Sequence, residues 1–486
     1  MTLLALIAVA LATGFATMLF GDRPRRRLSL LIGLAGSLIV LAIAFAMPHE
    51  ESVVIGDIAI VVTPVVRAMT VAWSATVAVL SLIELGVGGR PTVVGPSLLG
   101  LAVAATALAT RDAASSVAAL AAGSVAGVVI PGLHGWLEGQ TPARLATTQR
   151  GALAVLGSAL IGLVAIAWGA SPTGPLGSGA DLGAAPANQV GIGLALLAIV
   201  AAVAIRCGLI PAHVWAARFM EGVSPLAIPA AFAWGSAAFV LAALDWSQVA
   251  LTPDAAGGPE RFLIISLGLV SVVLGGLAAM FHDDIEHVLG YSIVADAGVA
   301  VLAFASLEPA AAAAARNWLV ASATVKTAFA AWCGVVRATY GGHRLADLGG
   351  WARHAPLLGL AFGGILVAAI GLPGMALFDA RAGLISGSMP GFGSVLALIV
   401  TAMPAVYLGR IALAGVAPIS SAVGGGPSGR PRRTRGRAAG WSGVPLRQAL
   451  VALPAEARAN RAPLMALGVM ALSLMAVATS AGGAGG

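Results

Sequence analysis

Residues 314–336 read AARNWLVASATVKTAFAAWCGVV, a run in which only Arg316, close to one end, and Lys326, in the middle, carry charge. As a helix rising ~1.5 Å per residue, it is long enough to cross the ~30 Å hydrocarbon core of a bilayer. Similar runs recur on both sides of it. Fourteen spans are read, at about 2–20, 28–47, 63–85, 94–110, 113–131, 149–169, 190–217, 222–244, 262–281, 287–306, 314–336, 355–385, 391–415 and 463–480. Composition agrees, since 59% of the 486 residues are hydrophobic and 10% charged, too little polar surface to cover a soluble globule. The fold class is an all-α, polytopic membrane protein. The seventh and twelfth spans are too long for a simple crossing and contain Pro211 and Pro373, so both read as broken helices.

Loop charge orients the chain. Alternating the loops places Arg23, Arg25, Arg26, Arg27, Arg90, Arg144, Arg150, Arg218, Arg337, Arg344, Arg353 and the arginines from Arg410 to Arg461 on one side. Only Arg67, Arg111, Arg261 and Arg316 fall on the other, together with Glu51, Asp57 and a Gly/Ser/Pro-rich linker at 170–188. Basic loops stay cytoplasmic, so both termini are expected to face outward from an inner (plasma) membrane. The formal charge of +7 then belongs to loops beside anionic headgroups, above all the arginine-rich stretch 416–462, and not to a nucleic-acid surface. The first run has no basic residue before it and arginines after it, the reverse of a cleavable signal, so it reads as a retained span. Cys207 and Cys333 lie in apolar segments and support neither a disulfide framework nor a cysteine metal site.

Function is sought among charges at membrane depth, where an ionised side chain costs ~2.5–3.5 kcal/mol on insertion scales. Four stand out: Arg206, Asp296, Lys326 and Arg381. The chain has 27 basic residues and Lys326 is its one lysine, so plain positive charge is supplied by arginine everywhere else. A desolvated lysine can lose its proton near neutral pH, whereas a guanidinium in a protein does not, so Lys326 reads as a proton-relay residue with Asp296 of the preceding span as partner. The alternative is a static ion pair that pins two helices. Arg206 and Arg381 accompany the two broken helices, at comparable places in spans four to eight and nine to thirteen, which points to an internal repeat with a site in each half. As arginines they set a local field but carry protons poorly, and Arg381 could instead snorkel to an interface. His213, just after Pro211, reads as a packing residue or a titrating group in a wet path. Glu84 reads as interfacial, and His282, Asp283, Asp284, Glu286 and His287 as a solvated loop whose spacing matches no standard metal site.

These residues resemble the antiporter-like membrane subunits of respiratory complex I (its L, M and N subunits), Mrp-type cation/proton antiporters and membrane-bound hydrogenases. Ile205-Arg206-Cys207-Gly208-Leu209-Ile210-Pro211-Ala212-His213-Val214-Trp215, continuing to Glu221-Gly222-Val223-Ser224-Pro225, is similar to that family's broken seventh helix with its Pro-Phe-His-x-Trp pattern. Asp284-Ile285-Glu286-His287-Val288-Leu289-Gly290-Tyr291-Ser292-Ile293-Val294-Ala295-Asp296-Ala297-Gly298 resembles its Asn-Ile-Lys-Arg-Leu-Leu-Ala-Tyr-Ser-Ser-Ile-x-His-x-Gly motif. Lys326 falls on the lysine of the next helix, and Gly371-Leu372-Pro373-Gly374 through Arg381 resembles the broken twelfth helix, with Arg381 at its channel lysine.

The resemblance implies fourteen helices with two inverted five-helix repeats: residues 1–93 carry the first three helices, 94–245 and 246–415 the repeats, 416–462 a basic loop, and 463–486 the last helix and tail. It implies proton conduction through two half-channels joined by a hydrophilic axis, within a multi-subunit complex whose partners are other membrane subunits and which moves protons or sodium. Departures weaken the first half, where Ala121 stands at the family's glutamate, Arg206 replaces its lysine and the eighth span with Ala230, Ala231 and Ala237 has no lysine or histidine; in the second half Arg381 replaces the channel lysine and Asp296 the motif histidine, while Lys326 is kept. Conduction is therefore expected mainly through the second half. With no flavin, nicotinamide or iron–sulfur motif, no cofactor and no redox catalysis of its own are expected. The alternatives are a scaffold that kept the fold and lost the channel, and a transporter coupled to sodium or inorganic carbon.

Overall fold

The computed structural model describes residues 1–20, 26–48, 50–55, 58–87, 93–110, 142–170, 186–251, 258–389, 391–417 and 455–482. The expected fifth span with Ala121, most of the 170–188 linker and most of the 416–462 loop lie outside these described residues.

Helices α1 (Thr2–Leu19) and α2 (Arg26–Ala46) precede a two-stranded antiparallel hairpin, β1 (Ser52–Ile55) and β2 (Ile58–Val61), in which Ser52 faces Val61 and Ile55 faces Ile58. Then come α3 (Pro64–Val87), α4 (Val94–Ala109), α5 (Pro142–Ala170), α6 (Pro186–Cys207) and the short α7 (His213–Gly222). A 3-10 turn at Pro225–Ala227 and a π-helical turn at Pro229–Trp234 lead into α8 (Gly235–Ala250). Helices α9 (Gly258–Phe281), α10 (Ile285–Val301) and α11 (Pro309–Tyr340) follow, then α12 (Pro356–Ile370), α13 (Ala376–Ser388), α14 (Phe392–Val400), α15 (Pro404–Val416) and α16 (Ala455–Gly482). The hairpin has no counterpart in the sequence reading. Glu51 beside it accepts from the backbone N–H of Thr2 at 3.1 Å, placing a carboxylate at the positive N-terminus of α1.

Helix boundaries follow local chemistry. Proline opens α11, α12 and α15, where a missing N–H costs nothing. Gly341 closes α11 and Gly371 closes α12, both in the left-handed region that glycine alone enters without strain. Asp284 caps α10 by accepting the Glu286 N–H at 2.9 Å.

Among the described residues, ten helical segments are long and apolar enough to cross a membrane. The expected count of fourteen is not reached for identifiable reasons. The fourth helix has only 16 residues, the fifth lies outside the described residues, and the apolar part of the sixth that is counted runs only over Arg150–Ala165. The twelfth is broken into pieces of 15 and 13 residues. Both expected breaks are present: Gly208 to Ala212 separates α6 from α7, and Gly371 to Met375 separates α12 from α13. At the centre stands α11, packed against α3, α8, α10, α12, α13 and α16, with 94% of its apolar stretch buried.

Candidate functional site

Helix α11 presents three cations at near-regular intervals, each facing a carboxylate on a neighbouring helix. Near its start, Arg316 Nη2 meets Asp245 of α8 at 2.7 Å. In its middle, Lys326 Nζ meets Asp296 Oδ2 of α10 at 3.1 Å. Near its end, Arg337 Nη1 meets Glu286 of α10 at 2.6 Å. The last two pairs fix an antiparallel register, since ten residues on α10 match eleven on α11, about 15 Å of helix. Asp296 lies eleven residues into α10, about 16 Å and therefore near mid-bilayer. The outer pair is part-exposed, at 30% and 38% of the side chains, whereas Lys326 is 4% exposed.

Asp296 retains 17% exposure because it borders a cavity. The space open to water-sized centres there is about 30 Å³, and its wall includes Cys207, Ser236, Asp296, Ser322 and Lys326. A water needs only roughly 10–15 Å³, so the space admits water. Arg381 and Tyr407 lie within electrostatic reach of Asp296. The backbone carbonyl of Asp296 is held separately by Trp318 Nε1 at 3.1 Å, which fixes α10 to α11 at this level.

The two buried arginines have related jobs. Arg206, 2% exposed, donates to Ser236 Oγ at 3.0 Å and to the Ala231 carbonyl at 2.9 Å. Ala231 belongs to the π-helical turn, whose wider i→i+5 pattern disturbs the ordinary helical bonding of its carbonyls, and the guanidinium takes one up. Gly235 makes room: a Cβ there would lie 2.7 Å from Arg206 Nη2. Arg381, also 2% exposed, donates to the Thr401 carbonyl at 3.1 Å and the Gly371 carbonyl at 3.4 Å, and sits 5.6 Å from the Phe378 ring. Thr401 lies between α14 and α15, and Gly371 at the break after α12. Each arginine thus satisfies carbonyls where a helix departs from regular geometry, and the snorkelling alternative for Arg381 is excluded by its burial.

His213 is not part of the Lys326–Asp296 contact. It starts α7, half-buried, with its ring 6.5 Å from that of Tyr291. The break before it is held by Trp215 Nε1, which donates to the Ile205 carbonyl at 2.9 Å, and by the Ile210 N–H donating to Ser271 Oγ at 3.2 Å.

Glu84, three residues before the end of α3, is 3% exposed and accepts the Val93 N–H, just ahead of α4, at 3.2 Å. One expectation needs correction, since 282–287 is not a solvated loop. Besides the buried Glu286, Asp284 faces His287 Nδ1 and His343 Nε2 at 3.4 Å each, Asp283 pairs with Arg410 at 2.8 Å, and the His282 ring stacks on those of His287 and Tyr291. Burial pushes the Asp284 carboxyl up, but the hydrogen bonds from His287 and the Glu286 N–H, with the charge of His343, outweigh it and hold the group below the usual carboxylate range.

The sequence reading missed Ser236 and the carbonyl of Ala231. A signal was available: Pro229 interrupts the eighth span and cannot donate to the preceding turn, a common origin of irregular helix.

The family described as NADH:quinone oxidoreductase/Mrp antiporter, transmembrane, matches residues 138–405, more than half of the chain. The chain belongs to this family. A relative, NADH-quinone oxidoreductase subunit N 1 of Streptomyces griseus, is 29% identical over 400 residues, covering 79% of this chain and 81% of that protein. Among solved structures, a chain of the Mrp complex from Dietzia sp. DQ12-45-1b superposes with a TM-score of 0.71 at 20% identity, covering 99% of this chain and 97% of that one. A chain of respiratory complex I from Thermus thermophilus with bound NADH gives 0.69 at 18%, covering 97% and 100%. At these identities the structural likeness shows the fold alone, a mostly helical polytopic one.

Proposed function

We propose that this subunit translocates protons through its second half, with Lys326 and Asp296 as the relay, inside a multi-subunit membrane complex of the kind its relatives occupy. The observation that carries this reading is the choice of cation along α11. Where a clasp sits near either end of the helix, arginine serves; at mid-depth, beside a cavity that admits water, the chain keeps its one lysine. A clasp needs only charge, whereas a relay needs a group that can release its proton. When Nζ–H breaks and Asp296 O–H forms, two charges vanish together, so the transfer leaves no lone ion at low dielectric. The proton then leaves Asp296 for water on one side, and Lys326 takes a different proton from water on the other, which restores both charges and moves one proton per cycle.

Arg206 and Arg381 act in this reading as fixed fields and not as carriers, since their donors are committed to carbonyls at helix irregularities. Outward termini and a cytoplasmic basic loop remain part of the proposal, resting on the arginine asymmetry. That same commitment of Arg206 favours the second reading, a scaffold without conduction. Proton flux into proteoliposomes carrying the assembled complex separates them. Lys326→Ala and Asp296→Asn are each expected to cut coupled flux by at least tenfold, and parental flux in both would leave only the scaffold.

A further inference from the structure

One carboxylate faces outward where the chain elsewhere shows the membrane bulky apolar side chains. Asp379, in the first turn of α13, is exposed and makes no side-chain hydrogen bond or ion pair among the described residues. Its depth follows from Arg381, two residues and about 3 Å further along the same helix, which lies within electrostatic reach of Asp296 near mid-bilayer. The other exposed carboxylates among the described residues, Glu50, Asp283, Glu308 and Asp347, lie in loops and turns or at the start of a helix. The N-terminal end of α13 attracts negative charge, which accounts for an acid at this position but not for its outward face. The break just before it is open as well. Leu372, Pro373 and Gly374 are exposed, and the Leu372 N–H is directed at the Met375 sulfur at 3.3 Å, a weak acceptor. Exposed Val367 on α12 and exposed Val395 and Ile399 on α14 flank the break, as on a lateral surface. Irregular backbone does not face lipid at this depth, where no water satisfies it, and an ionised carboxylate there is costly. From Asp379 the outer side of α13 continues through half-buried Ala382 to exposed Ser386, at i+3 and i+7, with side chains small enough for a second helix to approach closely.

We propose that this face is a subunit interface: it receives a membrane-spanning helix of a different subunit, which presents a basic side chain to Asp379 and covers the open break. Charge complementarity selects the occupant, since lipid tails and an apolar helix would both leave the carboxylate without a partner. A second copy of this chain cannot supply the cation. Its basic residues at this depth, Arg206, Lys326 and Arg381, are 2%, 4% and 2% exposed and are turned to its own interior. The inference rests on the multi-subunit part of the proposed function and is independent of the relay.

The test footprints the isolated complex in lipid nanodiscs with two reagents, a lipid-dissolved diazirine that marks side chains facing acyl chains and hydroxyl radicals that mark those facing water. Leu274, exposed on α9, serves as the reference for lipid contact. Leu372, Ala382 and Ser386 are expected to be marked by neither reagent. In parallel, Asp379→Lys, which sets like charge against the partner's cation, is expected to lower the recovery of at least one other membrane subunit per copy of this chain at least tenfold, whereas Asp379→Glu keeps it. An unchanged SDS-titration midpoint in both variants shows that the chain itself still folds, as an exposed position should allow. Diazirine labelling of this face at the level of Leu274 would mean that lipid covers it, and radical labelling that it opens to water; either overturns the inference, as does parental recovery in Asp379→Lys. A parental chain that isolates with no other subunit would instead overturn the multi-subunit reading, and parental flux in Lys326→Ala bears on the relay alone.

Discussion

Removing either partner of the Lys326–Asp296 pair leaves a buried ion that can neutralise itself, and the cost of doing so sets the expected loss. For Lys326→Met at pH 7, the orphaned Asp296 goes neutral by taking up a proton against an unfolded-state value near 3.9, about 3 pH units at ~1.4 kcal/mol each, or roughly 4 kcal/mol. For Asp296→Leu, Lys326 goes neutral by losing one against a value near 10.4, roughly 4.6 kcal/mol. Both agree with the ~3–5 kcal/mol found when one partner of a buried pair is removed. The signs of the pH dependence differ. In Lys326→Met the native state holds one more proton than the unfolded chain, so stability falls by about 1.4 kcal/mol for each unit of rising pH, while in Asp296→Leu it holds one fewer and stability rises equally. The double variant removes both ions and should lie within about 1 kcal/mol of the parent or above it. The part-exposed Arg316–Asp245 clasp, 2.7 Å long, should show a coupling of no more than ~1 kcal/mol. Reversible SDS titration in mixed micelles at pH 6, 7 and 8 reads all of these. Equal slopes in the two single variants, or additivity in the double, would refute the assignment of a buried, mutually compensating pair.

Two further outcomes follow from the surrounding geometry. Arg206→Met removes bonds of 3.0 and 2.9 Å and leaves the Ala231 carbonyl without its charged donor, at a cost of roughly 2–4 kcal/mol; Gly235→Ala, which crowds the same guanidinium, should lose stability in the same SDS titration, and parental midpoints in both would mean that the arginine does not hold the π-turn. The Asp284 cap contributes stability that is present above its unfolded value near 3.9 and is lost as pH falls through its depressed folded value, so Asp284→Ala should cost about 1 kcal/mol at pH 7 and converge with the parent as pH falls through that depressed value in thermal unfolding.

Much of this was legible in the residues. Pro211 and Pro373 located both breaks because proline removes a backbone donor wherever it falls, and Lys326 declared itself through being the one lysine among arginines. Asp296, of opposite charge in the adjacent span, was a candidate partner, but the contact itself comes from the structure. What stayed hidden depends on three-dimensional closure. The hydrogen bond that Glu84 accepts comes from Val93, nine residues on at the start of α4, and no local pattern announces it. The partners of Arg206 come from 25 and 30 residues away on a segment whose π geometry one proline barely signals. The ordered cluster at 282–287 needs Arg337 from α11, His343 from the connection after it and Arg410 from α15, and no local spacing announces them.

Lys326→Arg is the most direct measurement, because it keeps the positive charge and the clasp with Asp296 while removing the ability to surrender a proton. Assayed as pH-gradient formation by the assembled complex in proteoliposomes, the variant is expected to assemble at the parental level and to lose at least nine-tenths of its proton flux, as Lys326→Ala does. A Lys326→Arg complex that builds the same gradient as the parent would contradict the account.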